Sequence, residues 1–304
     1  MIGFVHVPNL DPERVGPRGG PFILSKLGLL ERTTFGDLLL DAGRDTASNL
    51  RLAEEILRYT HTLRVVVTVL VHDADPVETA DRIARLDHAS GGRVALALEA
   101  GRSPEAETLS HAVAFGRADE FAVLVKRLWS NERPITFEGE FYRCADALAP
   151  VKGPQGARIP IWTSGLTGRA LQMAGRHADF VRLHPTLPEE IPAQLGRIAA
   201  VKLQYGRRDQ PRYVLPVGVG AQEAGQFVKL PEEPAEAASL LARYARAGVT
   251  DFAVHGLDGH TAIAGFSWQV APRVRDIAQE SGMRLVHPPG TGFDAEAFKP
   301  ALAR

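Results

Sequence analysis

The stretch LRVVVTVLVHDADPVETADRIARLDHASGGRVALAL, residues 63–98, decides the fold. Leu63 to Val71 is an almost unbroken β-branched and apolar run, as expected of a strand buried on both faces. Asp75-Pro76 then offers a helix start, with proline at a position that has no hydrogen bond to lose, and Val77 to Asp87 reads as an amphipathic helix. Arg93 to Leu98 returns to strand. A strand, a helix and a second doubly buried strand make the βα unit of a parallel sheet.

The unit repeats in both directions. Strands are expected at Ile2 to Val7, Asp37 to Leu40, Ile159 to Thr163, Phe180 to Leu183, Tyr213 to Val219 and Asp251 to Val254. Helices are expected at Phe22 to Glu31, Ala47 to Tyr59, Leu109 to Trp129, Gly168 to Gly175, Pro188 to Tyr205, Pro234 to Ala247 and Ala262 to Glu280. An open doubly wound sheet also alternates in this way, but eight pairs favour closure into a TIM-type eight-stranded β/α barrel. Residues 130–158, with FEGEFYRC, read as an insertion carrying a hairpin between the fourth helix and fifth strand. Residues 1–285 are expected to form one barrel domain, and 286–304, with HPPGTGF, a loosely ordered extension.

Bulk properties narrow the function. With 35 basic and 36 acidic residues, and a formal charge of -1, there is no general electrostatic attraction to nucleic acid or to an anionic membrane. The single cysteine, Cys144, forms no internal disulfide and has no CxxC partner; it reads as a packing or surface thiol. The absence of a spanning apolar run or signal sequence leads to the expectation of a cytoplasmic protein acting on a small molecule.

In a barrel of this kind ligands bind at the C-terminal strand ends. Those ends hold His6, His184 and His255, each of which could act as acid, base or hydrogen-bond donor near neutral pH, or simply line the mouth. They form no metal-binding spacing, and no metal is expected. Asp41 could orient a ligand or cap the next loop. Glu99 needs a partner, from Arg102 or from a ligand, because an unpaired carboxylate in a crowded mouth is costly. In IWTSGLTGRAL, Ile161 to Leu171, Gly165 allows close backbone approach, the amides of Leu166 and Thr167 can face an anion, and the Ser164 and Thr167 hydroxyls can donate to phosphate oxygens. Thr167 acting only as a helix N-cap explains the same turn equally well.

The segments LDHASGGR (Leu86 to Arg93), GRADEFAVLVKRLW followed by ITFEGEFY, GPQGARIPIWTSGLTGRALQMAGRHADFV, YGR at Tyr205 and EAASLLARYARAGVTDFAV resemble the bacterial luciferase-like flavin monooxygenases. The likeness runs from about Phe35 to Gln279 and is nearest the branch containing nitrilotriacetate and dibenzothiophene-sulfone monooxygenases.

The resemblance implies a barrel that binds reduced FMN supplied by a separate flavin reductase and inserts one atom of O2 into a small organic substrate, as a homodimer. It puts Gly165 and Thr167 on the family's phosphate turn, Asp41 on the acidic position ending the second strand, and Thr68 beside the flavin ring. The chain departs from the family at Leu70, Val71, Ala97, Glu99, Ala100 and Gly101, and Phe115-Gly116 replaces an Arg-Tyr pair. Two alternatives stay open: a deazaflavin-dependent oxidoreductase of the same superfamily, against which the PQG and YGR segments argue, and a noncatalytic flavin-binding or partner subunit, suggested by the departures on the fourth strand.

Overall fold

The doubly buried runs become neighbours around a closed ring. The computed structural model describes residues 2–10, 20–41, 43–100, 111–166, 168–220 and 226–280. Eight strands, β1 (Gly3–His6), β2 (Phe35–Leu40), β3 (Arg64–Leu70), β4 (Val94–Glu99), β7 (Ile161–Ser164), β8 (Phe180–Arg182), β9 (Arg212–Gly218) and β11 (Asp251–His255), pair in parallel. β9 pairs with both β8 and β11, which closes a TIM-type barrel.

Around it lie α1 (Gly20–Leu30), α2 (Thr46–Tyr59), α3 (Pro76–Ser90), α4 (His111–Ser130), α5 (Gly168–His177), α6 (Ile191–Gln204), α7 (Pro234–Arg246), α8 (His260–Gly265) and α9 (Ala271–Glu280). Asp75 caps α3 by accepting from the Val77 and Glu78 amides, each at 2.8 Å, with Pro76 in the first turn. None of the helices among the described residues is long and apolar enough to cross a membrane.

Two local features differ from the sequence expectation. The last helix is not continuous: a wider π turn over Phe266–Val270 separates α8 from α9. Pro272 sits just beyond it, and a proline lacks the amide that would bond the carbonyl four residues earlier. β10 (Val228–Lys229) adds to β9 at Val217 and Gly218, above the point where the three-residue β8 stops pairing. Of the tryptophans, Trp129 and Trp162 are core residues, whereas Trp268 is exposed.

Between α4 and β7, strands β5 (Ile135–Glu138) and β6 (Arg143–Ala147) form an antiparallel hairpin. Glu120 of α4 fastens it: its carboxylate accepts from the backbone amides of Glu140 at 2.8 Å, Phe141 at 3.0 Å and Tyr142 at 2.6 Å. The Tyr142 hydroxyl in turn donates to the carbonyl of Val71, just past β3, at 3.3 Å.

Alternation along each strand sorts side chains into two sets. Val5, Leu39, Val66, Ala95, Ala97, Trp162, Phe180, Val214 and Ala253 form the barrel interior, while their neighbours pack under the helices. At the N-terminal floor Arg64 pairs with Asp37, and Arg212 with Asp251. Both guanidinium groups lie over the Phe180 ring, at 5.2 and 5.6 Å.

His6 belongs to the outer set. Its strand partners Leu38 and Val254 face the helices, and its ring meets Phe35 edge-on at 5.5 Å. Burial, with smaller contributions from Lys26 and His255, pushes its pKa down to about 3.

The floor and the wall can each be tested by substitution. Asp251 is 1% exposed, so Asp251→Ala strands a partly buried Arg212 and should lower the unfolding free energy by about 3–5 kcal/mol in urea denaturation; a loss below about 1 kcal/mol would contradict the floor pair's role. Neutral His6 in the fold and a protonatable histidine in the unfolded chain make stability fall as pH drops from about 6.5 toward 3. By pH 5 the loss from this group is about 2 kcal/mol. Denaturation of wild type and His6→Gln at pH 7 and pH 5 should show that extra pH dependence in wild type only.

Candidate active site

At the C-terminal strand ends the inward positions turn polar. Continuing inward from Ala97, Trp162 and Phe180, the next positions on β4, β7 and β8 are Glu99, Ser164 and Arg182. Ser164 and Arg182 are direct strand partners, and the Ser164 hydroxyl donates to Glu99 Oε2 at 3.4 Å. Strand order puts β2 and β8 on opposite walls. Across that diameter Arg182 Nη1 meets Asp41 Oδ1 at 3.4 Å, with the two side chains 20% and 22% exposed.

Thr68 is an inward residue of β3 and lies beside Ala97. It is 2% exposed, and its hydroxyl has no hydrogen-bond partner among the described residues. Its carbonyl accepts from Asn49 Nδ2 at 2.9 Å. A buried hydroxyl without a partner costs about 1–3 kcal/mol. Such a group in a strand-end layer is a point at which a ligand can be held.

The turn after β7 adjoins this layer. Gly165 has φ +89°, and a Cβ there would stand 2.7 Å from Ala170 Cβ and 3.2 Å from the Phe115 ring. Only glycine fits, and its bare backbone forms a cradle leading into α5. Leu166 is buried and its carbonyl accepts from Arg197. Thr167, expected to donate at this turn, lies outside the described residues, as does Arg102.

The structure therefore gathers Asp41, Thr68, Glu99 and Ser164 in one mouth, with Gly165 and Leu166 on its rim. Asp41 faces Arg182, and the helix that follows is capped by Asp45, which accepts from the Ser48 amide at 2.7 Å. The three histidines do not converge. His6 is behind the wall, His255 ends β11 with its ring 4.2 Å from Phe227, and His184 is exposed, its backbone bonded to Gln194. Arg182 was not foreseen. The alternation Phe180, Val181, Arg182 carries the signal, since an inward phenylalanine makes the arginine two residues on inward as well. Among the described residues no group of three His, Cys, Asp or Glu side chains could hold a metal ion.

Chemically, the mouth offers a buried donor, a carboxylate and hydroxyl pair, and a guanidinium shared with a second carboxylate. A glycine turn that suits an anion stands beside them.

Known proteins share this fold and part of this sequence. An FMNH2-dependent dimethylsulfone monooxygenase of Pseudomonas putida is 26% identical over 200 residues, 64% of this chain and 52% of that protein. The chain thus matches about half the length of that curated relative. Among solved structures, a long-chain alkane monooxygenase superposes with TM-score 0.78 at 17% identity, covering 95% of this chain and 94% of that one. The EDTA monooxygenase of Chelativorans sp. BNC1 does so with TM-score 0.74 at 14% identity, covering 93% and 98%. The sequence pattern of the luciferase-like monooxygenases matches residues 47–284, most of the chain, and the protein belongs to that family.

Proposed function

We propose that this protein is a reduced-FMN-dependent monooxygenase acting on a small organic substrate. The observation that carries the reading is the Thr68 hydroxyl, buried and unpartnered among the described residues at the strand-end mouth, in a chain of the luciferase-like family. Thr68 and the Gly165 cradle fit a flavin: a donor for the ring system and a close backbone approach for its phosphate.

When bound, reduced FMN supplies two electrons, so that one atom of O2 enters the substrate and the other leaves as water. The chain's own residues do the rest. Thr68 donates a hydrogen bond to the ring, and the turn from Ser164 through Gly165, Leu166 and Thr167 receives the phosphate. Asp41 holds Arg182 across the mouth, Ser164 orients Glu99, and His255 lines the β11 side. The apolar layer of Ala97 and Trp162 forms a dry floor, and exclusion of water favours oxygen transfer over side reactions. His6 and His184 contribute from outside the layer, as wall and rim residues. On the same reading a separate flavin reductase supplies the reduced cofactor, and the barrel, residues 1–285, works as a cytoplasmic homodimer.

Thr68→Val tests the reading by opposite signs. The ligand-free protein should gain stability, because an unsatisfied buried hydroxyl is removed, whereas reduced FMN should bind several-fold more weakly, about 0.5–1.5 kcal/mol. Thermal unfolding and anaerobic flavin titration check the two arms. If wild type binds neither reduced FMN nor a deazaflavin, the enzyme reading is wrong.

A further inference from the structure

Among the described residues three arginine–aspartate pairs join barrel strands, and the third differs from the first two. At the floor, Arg212 engages both oxygens of Asp251, at 2.7 and 2.5 Å, and Arg64 engages both oxygens of Asp37. Each of these guanidinium groups meets both oxygens of one carboxylate, and each lies over the Phe180 ring. At the mouth Arg182 meets Asp41 through a single 3.4 Å contact among the described residues, with both side chains one-fifth exposed. A guanidinium carries five donors in a planar fork shaped for two oxygens of one anion. The mouth pair leaves most of that fork unspent.

Its setting is equally particular. Arg182 projects inward from β8 beside Ser164, and Asp41 stands on the opposite wall. Between them the inward positions are Leu70, Thr68 and Ala97, with the hydrogen-bonded Glu99 and Ser164 on β4 and β7. An arginine held loosely by a carboxylate on the far wall is anchored yet able to take a second anion.

We propose that Arg182 is a specificity-determining residue that receives the oxyanion of the substrate, a carboxylate or sulfonate of a small organic acid. Asp41 acts as its positioning residue. This rests on the mouth being the substrate site of the proposed monooxygenase. It commits to the substrate as the source of the oxyanion, although a flavin phosphate offers related chemistry.

The test is calorimetric binding of methanesulfonate, propanoate and the neutral dimethyl sulfone to wild type, Arg182→Lys and Arg182→Gln, with and without FMN. Wild type should favour the two anions over dimethyl sulfone at least tenfold. Arg182→Gln should lose that preference, and Arg182→Lys should retain part of it. Because Arg182→Gln removes the cation across the mouth from Asp41, the double variant Asp41→Asn/Arg182→Gln serves as a second arm and should also lose the preference. Equal affinity for anions and sulfone, no anion binding, or unchanged preference in the variants would overturn the proposal. So would an Arg182→Gln variant that weakens FMN but not riboflavin, because the arginine would then serve the cofactor's phosphate. Anion preference in a wild type that binds no flavin would sustain the oxyanion site while removing the flavin reading.

Discussion

Trp162 and Phe180 stack at 4.5 Å with their planes 7° apart, in the middle of the barrel. Much of the molecule is arranged around this contact. It joins adjacent strands within the apolar interior and stands between two charged layers. Below it the floor arginines rest on the Phe180 ring while their charges are met by Asp37 and Asp251. Above it the same two strands emerge as Ser164 and Arg182. Since strand alternation turns the second residue beyond each inward aromatic inward as well, the plug also decides which side chains reach the mouth.

The outer shell serves the same end. Strand β8 is too short to pair along the whole of β9, and β10 completes the wall near His255 and Phe227. On the opposite side the Glu120 carboxylate gathers three hairpin amides, and Tyr142 carries the hairpin to the end of β3. Such anchored rims hold the mouth on rigid elements, which is where a site that must position a ligand is best built.

The fold was largely legible in the sequence. Leu63 to Val71 reads as a doubly buried strand and Asp75-Pro76 as a helix start, and both take those forms. Local pattern could not give β10, two residues long, or the π turn before Pro272. Both depend on tertiary fit. The site was partly legible. Asp41, Thr68, Glu99, Ser164 and Gly165 could be picked out as strand-end residues, but which of them meet across the barrel depends on closure and register. Asp41 and Arg182 are 141 residues apart in the chain, and no local spacing joins them. His6 shows the converse. It ends a strand, yet Gly3, Val5 and Val7 take the inward phase, so it falls behind the wall.

The central claim is that the polar mouth above Trp162 is the flavin site. The most direct measurement is a crystal structure of the protein soaked anaerobically with reduced FMN. The ring system should lie over Ala97 and Trp162, with a polar atom about 3 Å from Thr68 Oγ1 and the phosphate at the turn between Gly165 and Gly168. Flavin bound elsewhere, such as the outer groove lined by Phe115, Phe141 and Arg169 between α4 and α5, or no flavin in a crystal whose mouth is open to solvent, would contradict it.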